Sequence, residues 1–328
     1  MDLKELKGIG SSIKEKLIDN NIKTVERLSI SSHVKIANIL ECSTKKAKEL
    51  IDKAKILSAN AIIISTAKEV LEHRKKTIQR IPTGSTALDN IIGGGIETNA
   101  LTAFTGQFAT GKTQLCYSLI LNCKNALDRK SAWIETEPQT FRSERILEMS
   151  QSRGIQLDLG NDILIIESKF INSCDSQYKA YELIERKIKE GNDIGLIVID
   201  SFNALFRMSY SGRELLPERS ADTAHHLGFL QYLASNYNCA IVMTIQVMGI
   251  PDSSLQLGAL KRMGIRQMPV GPHILKHAVN YWIALDHISA KDKIWKAILS
   301  DGPMPRNDCL FHILTTGIED VSLSRGKA

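Results

Sequence analysis

An α/β fold with a mostly parallel central sheet, preceded by a small all-α domain, is predicted by three observations. From residue 81 onward, short apolar runs of strand length alternate with longer helix-periodic stretches. One such strand, 101–105, and one such helix, 114–123, flank Gly106-Gln107-Phe108-Ala109-Thr110-Gly111-Lys112-Thr113, which fills every fixed position of the phosphate-loop pattern G-x-x-x-x-G-K-[ST]. Residues 3–57, by contrast, carry only short amphipathic patterns, with Leu3, Leu6, Ile13, Leu17, Ile22, Val25 and Leu28 at helical spacings.

The 328 residues divide as 1–58, a helical domain; 59–80, a linker; and 81–328, the α/β core. No apolar run reaches the ~18 residues of a membrane span. The opening Met1-Asp2-Leu3-Lys4 is charged, unlike a secretory signal. Six scattered cysteines without a C-x-x-C pattern read as reduced thiols of an intracellular protein, not as a zinc site or a disulfide framework. Charge is uneven: residues 1–80 hold 17 Lys/Arg against 10 Asp/Glu, and the remainder 25 against 26. That asymmetry fits an anionic partner for the small domain, or a solvated lysine-rich surface.

In the first domain, Leu6-Lys7-Gly8-Ile9-Gly10-Ser11-Ser12 resembles the turn of a helix-hairpin-helix module. Gly8 and Gly10 would present backbone N–H groups to a DNA phosphate, or simply join two helices. A helix is expected over 45–57. The β-prone run 60–67 would need a sheet edge, either its own core's or a neighbouring subunit's. Lys68 to Arg80 reads as a charged helix and linker. In the phosphate loop, glycines admit phosphate oxygens close to backbone N–H groups, Lys112 brings charge to the β/γ-phosphates, and the Thr113 hydroxyl suits Mg²⁺. Strand 132–137 ends in carboxylates, 163–167 is another buried strand, and 178–190 a helix. Strand 195–200 ends in Asp200, four apolar residues then an acid, the Walker B pattern for holding Mg²⁺. Helix 217–237 and strand 240–246 follow. Two loops stand out. One, 208–217, holds Arg213. The other, 249–272, holds Lys261, Arg262 and Arg266; it suits a nucleic-acid backbone, or is a surface loop. Runs at 281–285, 294–299 and 309–314 read as antiparallel strands completing the sheet.

Several segments together resemble the RadA/RecA-like strand-exchange recombinases, over nearly the whole chain. They are Thr83-Gly84-Ser85 with Leu88-Asp89, Gly93-Gly94-Gly95-Ile96-Glu97-Thr98, Gly111-Lys112-Thr113-Gln114-Leu115, Thr140-Phe141-Arg142 with Glu144-Arg145-Ile146, Asp200-Ser201 with Ala204-Leu205-Phe206-Arg207, and Gln246-Val247-Met248 with Pro251-Asp252. The resemblance implies a RecA-like P-loop ATPase core using ATP and Mg²⁺, located in the cytoplasm on the nucleoid. It implies that Glu137 polarises the attacking water, that Gln246 senses the γ-phosphate, and that Arg142 lies on the adenine. Asp301 and Pro305 would cap nucleotide bound to the neighbouring subunit. Arg207, Arg213 and Arg219 would contact DNA phosphate. Ile64 and Ala67 would mark the assembly strand that docks on the next subunit. Partners implied are single- and double-stranded DNA, further copies of the chain in a filament or ring, and recombination mediators with single-strand-binding protein; no membrane is implied.

The chain departs from that pattern at Ile64 (Phe expected), Ile245 (Asn), Glu214 (Gly), Ser220 (Gln) and Pro272 (Gly). These positions bear on assembly and the DNA loops, and none is Lys112, Thr113, Glu137 or Asp200. The expected function is a DNA-dependent ATPase that pairs homologous DNAs and exchanges strands. The alternatives are a paralogue acting as a DNA-binding mediator and a hexameric translocase on the same core.

Overall fold

The computed structural model describes residues 1–20, 22–59, 64–210, 212, 214–249, 267–269, 273–289 and 291–321. They form two compact units, Met1–Thr77 and Ile78–Ala328.

In the first unit, a 3₁₀ turn (Leu3–Glu5) is capped by Asp2 and precedes α1 (Ser11–Asp19), α2 (Val25–Ser29), α3 (His33–Leu40) and α4 (Thr44–Ala59). Leu3, Leu17, Ile22, Val25, Leu28 and Ile36 close a core with Ala47 and Ala54 of α4. Gly8 adopts φ +103°, a conformation that L side chains resist, and Gly10 is the N-cap of α1. Both glycines are exposed. Two of the nearby lysines are engaged by acids: Lys14 with Asp2 at 2.8 Å and Lys16 with Glu41 at 3.4 Å.

The β-prone run gives a different local outcome. Residues 60–63 lie outside the described residues, while Ile64, 97% exposed, and residues 65–66 form no strand. Ala67 opens helix α5 (Ala67–Thr77). The cause is a capping box: Thr66 Oγ1 accepts from the Glu69 N–H at 3.3 Å, and the Glu69 carboxylate accepts from the Thr66 N–H at 2.7 Å. No residue of α5 is buried, so its charged sequence is a solvated helix.

The second unit is built on a sheet whose nine-strand path runs β12-β11-β10-β9-β3-β7-β6-β4-β5. The parallel part comprises β3 (Ala100–Gly106), β4 (Lys130–Glu135), β5 (Ile163–Ile166), β6 (Ile194–Asp200), β7 (Ala240–Gly249) and β9 (Tyr281–Ser289). Strands β10 (Ile294–Asp301), β11 (Asp308–Leu314) and β12 (Gly317–Asp320) extend it antiparallel from β9. A two-stranded ribbon, β1 (Arg80–Ile81) with β2 (Ile96–Glu97), stands apart. Central strands such as β6 are buried at every position, as expected where helices cover both faces. Helix α7 (Lys112–Leu127), α9 (Cys174–Lys189) and α11 (Leu216–Tyr237) join α6 (Thr86–Ile91), α8 (Ser143–Arg153), α10 (Ala204–Ser209) and α12 (His273–Ala278). The core gathers Phe104, Leu119, Trp133, Val198, Val242, Ile283 and Phe311.

The 249–272 segment is not all loop. Strand β7 continues to Gly249, and β8 (Gln267–Pro269) pairs antiparallel with it, Val247 opposite Pro269. Residues 250–266, with Lys261, Arg262 and Arg266, lie outside the described residues, as does Arg213 in the shorter loop. Ile245, where the resemblance expects Asn, is fully buried in β7 beside Thr105 of β3, an environment that favours an aliphatic side chain.

At the amino ends of the parallel strands, away from the phosphate loop, Arg129 works as a staple. Its Nε reaches Asp193 at 2.8 Å. Its Nη1 donates to the carbonyl of Asn238 at 2.7 Å, and Nη2 to those of Ile194 and Tyr237 at 2.9 and 3.2 Å.

Candidate nucleotide site

A cleft of about 530 Å³ opens at the carboxyl end of β3. Its floor is the phosphate loop, residues 106–113, with Gln114 beside it. Gly106 has no room for a side chain: a Cβ would meet the Leu285 carbonyl at 2.5 Å. Gly111 has φ +88° and would place a Cβ 2.4 Å from the Ile313 side chain. Ala109, at the apex, sits at φ +63°. Helix α7 begins at Lys112, so its unpaired N-terminal N–H groups and dipole face the loop. Phe108, in the middle of the loop, is 99% exposed.

Lys112 folds back on its own loop, with Nζ donating to the carbonyls of Gly106 at 2.9 Å and Gln107 at 2.6 Å. Burial lowers its pKa, while the charges of Asp200 and Glu137 act to raise it. A phosphate would offer this ammonium a stronger partner than two carbonyls.

Asp200, at the end of β6, is 4% exposed. One carboxylate oxygen accepts from the Thr113 hydroxyl at 2.8 Å, and the other from the Thr244 hydroxyl. Burial pushes its pKa up, and the two hydroxyl bonds oppose that shift. Thr113 and Asp200 together supply the oxygen donors that a hard cation such as Mg²⁺ takes. Among the described residues no cluster of three or more His, Cys, Asp or Glu could hold a metal by itself.

Glu137 stands just beyond β4. Its Oε1 accepts from the Ser201 hydroxyl at 2.6 Å and from the Gln246 side-chain amide at 2.5 Å. The other end of Gln246 accepts from Arg207 Nη1 at 2.6 Å. An unbroken chain of hydrogen bonds therefore runs from the cleft carboxylate to an exposed arginine on α10. Close to it lies Arg219, half-buried, whose Nε and Nη2 have no partner among the described residues. Burial, then the Arg207 charge, lowers the Arg219 pKa.

A family model for Rad51 matches residues 73–321. The chain belongs to the Rad51 family. Two relatives described as "DNA repair and recombination protein RadA" are similar along almost their entire length. The protein from Metallosphaera sedula is 32% identical over 326 residues, covering 97% of this chain and 95% of its own. The protein from Methanococcus maripaludis is 32% identical over 334 residues, covering 97% and 99%. Within this family of RecA-like recombinases, the sheet and phosphate loop described above form the α/β core.

The remaining expected site residues are spread out. Arg142 is exposed and donates to Gln139 at 3.0 Å, outside the cleft wall. Asp301 and Pro305 are exposed and also do not line the chain's own cleft. Six lining residues were not among the expected site residues: Thr140, Ser201, Thr244, Val247, Trp295 and Ile313. Thr244 reads in sequence as an ordinary strand former, and Trp295 and Ile313 arrive from strands almost 200 residues beyond the loop. No helix among the described residues is long and apolar enough to cross a membrane.

Proposed function

We propose that this Rad51-family chain is a DNA-dependent ATPase that assembles on single-stranded DNA and promotes homologous pairing and strand exchange in DNA repair and recombination. The observation that supports this most is the hydrogen-bonded chain Glu137–Gln246–Arg207, which ties a cleft carboxylate to a surface arginine.

ATP would lie along the phosphate loop, with Lys112 on the β/γ-phosphates. Mg²⁺ would be held by Thr113 and Asp200 and would neutralise charge developing on the phosphate oxygens. Glu137 would orient the attacking water in line with the γ-phosphate. Both of its present donors, Ser201 and Gln246, sit on Oε1, and the second carboxylate oxygen can accept from the water. Arg207 and Arg219, with the loop residues Arg213, Lys261, Arg262 and Arg266, would contact DNA phosphates without reading sequence. The Gly8–Gly10 turn would add a backbone contact to duplex DNA. Ile64 and Ala67 would dock on the next subunit, with the 64–66 segment becoming a strand once an edge is available. The neighbour's Asp301 and Pro305 segment would close over the nucleotide, and Arg142 would turn onto the adenine.

A mediator with weak strand exchange is the second reading. It is favoured by Glu214, an exposed acid among the loop arginines, and by the small anchor Ile64. Strand exchange between homologous DNAs with ATP and Mg²⁺ decides between them. Joint molecules support the recombinase; DNA binding without joint molecules supports the mediator.

A further inference from the structure

Trp133 and Trp282 are buried, whereas Trp295 is half-buried and lines the cleft. Strand β10 sets it in place between Phe311 of β11 and His287 of β9, with the His287 ring edge-on at 5.2 Å between centroids. Its indole N–H makes a long bond, 3.4 Å, to the Ala109 carbonyl at the loop apex. Ile313 of β11 lies next to it against Gly111.

Strand order divides the cleft. The polar groups Glu137, Asp200, Thr244 and Gln246 come from β7, β6 and the end of β4, all on one side of β3. Trp295 and Ile313 come from β10 and β11, on the other side. A nucleotide with its terminal phosphate among the polar groups must send its other half away from them. An aromatic face beside an aliphatic side chain offers that half the apolar surface that ribose and base favour.

We infer that Trp295 contacts the ribose–base half of the nucleotide bound to its own subunit and sets the preference for a nucleotide over a bare polyphosphate. The inference rests on the phosphate loop being a nucleotide site. The competing role is mechanical: Trp295 would merely prop the loop through Ala109.

Binding of ADP and of inorganic tripolyphosphate, each with Mg²⁺, to the full chain separates the two roles. Under the contact role, Trp295→Ala weakens ADP about tenfold or more and leaves tripolyphosphate within about twofold. Trp295→Phe, which keeps an aromatic face but loses the N–H, stays within about threefold of wild type for ADP. Wild-type tryptophan emission changes on ADP addition, and Trp295→Phe abolishes that change. Equal losses for both ligands, or no loss for either, overturn the contact role. A wild-type chain that binds tripolyphosphate but not ADP overturns it too, and one that binds neither overturns the nucleotide reading with it.

Discussion

Replacing Glu137 by Gln isolates the chemistry of the cleft from its architecture. Glu137 Oε1 accepts two hydrogen bonds, from Ser201 and Gln246. A glutamine carbonyl has two lone pairs and can accept both, so no donor is stranded and the fold should be unaffected. What disappears is the negative charge, and with it the ability to take a proton from water as it attacks. General-base assistance is worth about 10²–10⁴ in rate, or roughly 3–5 kcal/mol of barrier. The assay is phosphate release at saturating ATP and Mg²⁺ with single-stranded DNA, alongside nucleotide binding and a thermal melt. Binding and melt should match wild type while turnover falls by at least about a hundredfold. Hydrolysis within about threefold of wild type, with the melt unchanged, would refute the assignment of Glu137 as the group that activates water.

Three other outcomes are expected. Arg207→Ala should lower DNA affinity and reduce the slope of log affinity against log salt by about one, measured by fluorescence anisotropy. Arg129→Met removes the partner of three backbone carbonyls and should cost about 3 kcal/mol, lowering the melting temperature of the second unit by roughly 6–12 °C; a drop under about 2 °C would show that the staple is not needed. His226, 1% exposed, has its pKa pushed down to about 3 by burial, with His225 adding to the shift; Asp222, 3.8 Å away, does not offset it. Below about pH 6.5 the unfolded chain binds a proton that the folded chain refuses, so stability should fall as pH drops from 6.5 towards 3, by up to about 1.4 kcal/mol per pH unit, and His226→Phe should flatten that fall in urea melts.

The α/β core was legible because its signals are local. Buried parallel strands are continuous apolar runs, and the phosphate loop announces itself by glycine spacing. Asp200 could be found because it follows such a run, whereas Glu137, the second of two acids after its run, was singled out only by the resemblance. Trp295 and Ile313 could not be found, since their proximity to Gly111 depends on pairing β3 with β9 and then counting outward through β10 to β11. The direct bond between Arg207 and Gln246 was equally hidden, since the two residues are far apart in sequence and meet only where α10 packs beside the end of β7. Strand β8 was missed because Pro269 argues against a strand, yet an edge position tolerates it. At Ala67, β-prone neighbours lost to a capping box that a Thr-x-x-Glu spacing could have revealed.

The position of β3 also bears on synthesis of the chain. The phosphate-binding strand is made early, yet its two neighbours in the sheet arrive late: Ala100 pairs with Ala240, and Thr102 with Tyr281. Such distant pairings are slow to form, since a long loop must close before any contact rewards it. A ribosome-bound chain can complete Met1–Thr77 from local helical contacts while β3 is still without either neighbour. Nascent chains halted before residue 240 should therefore hold a folded first unit and no ability to retain nucleotide. During translation, the loop that is most recognisable in the sequence belongs to one of the last parts of the protein to become functional.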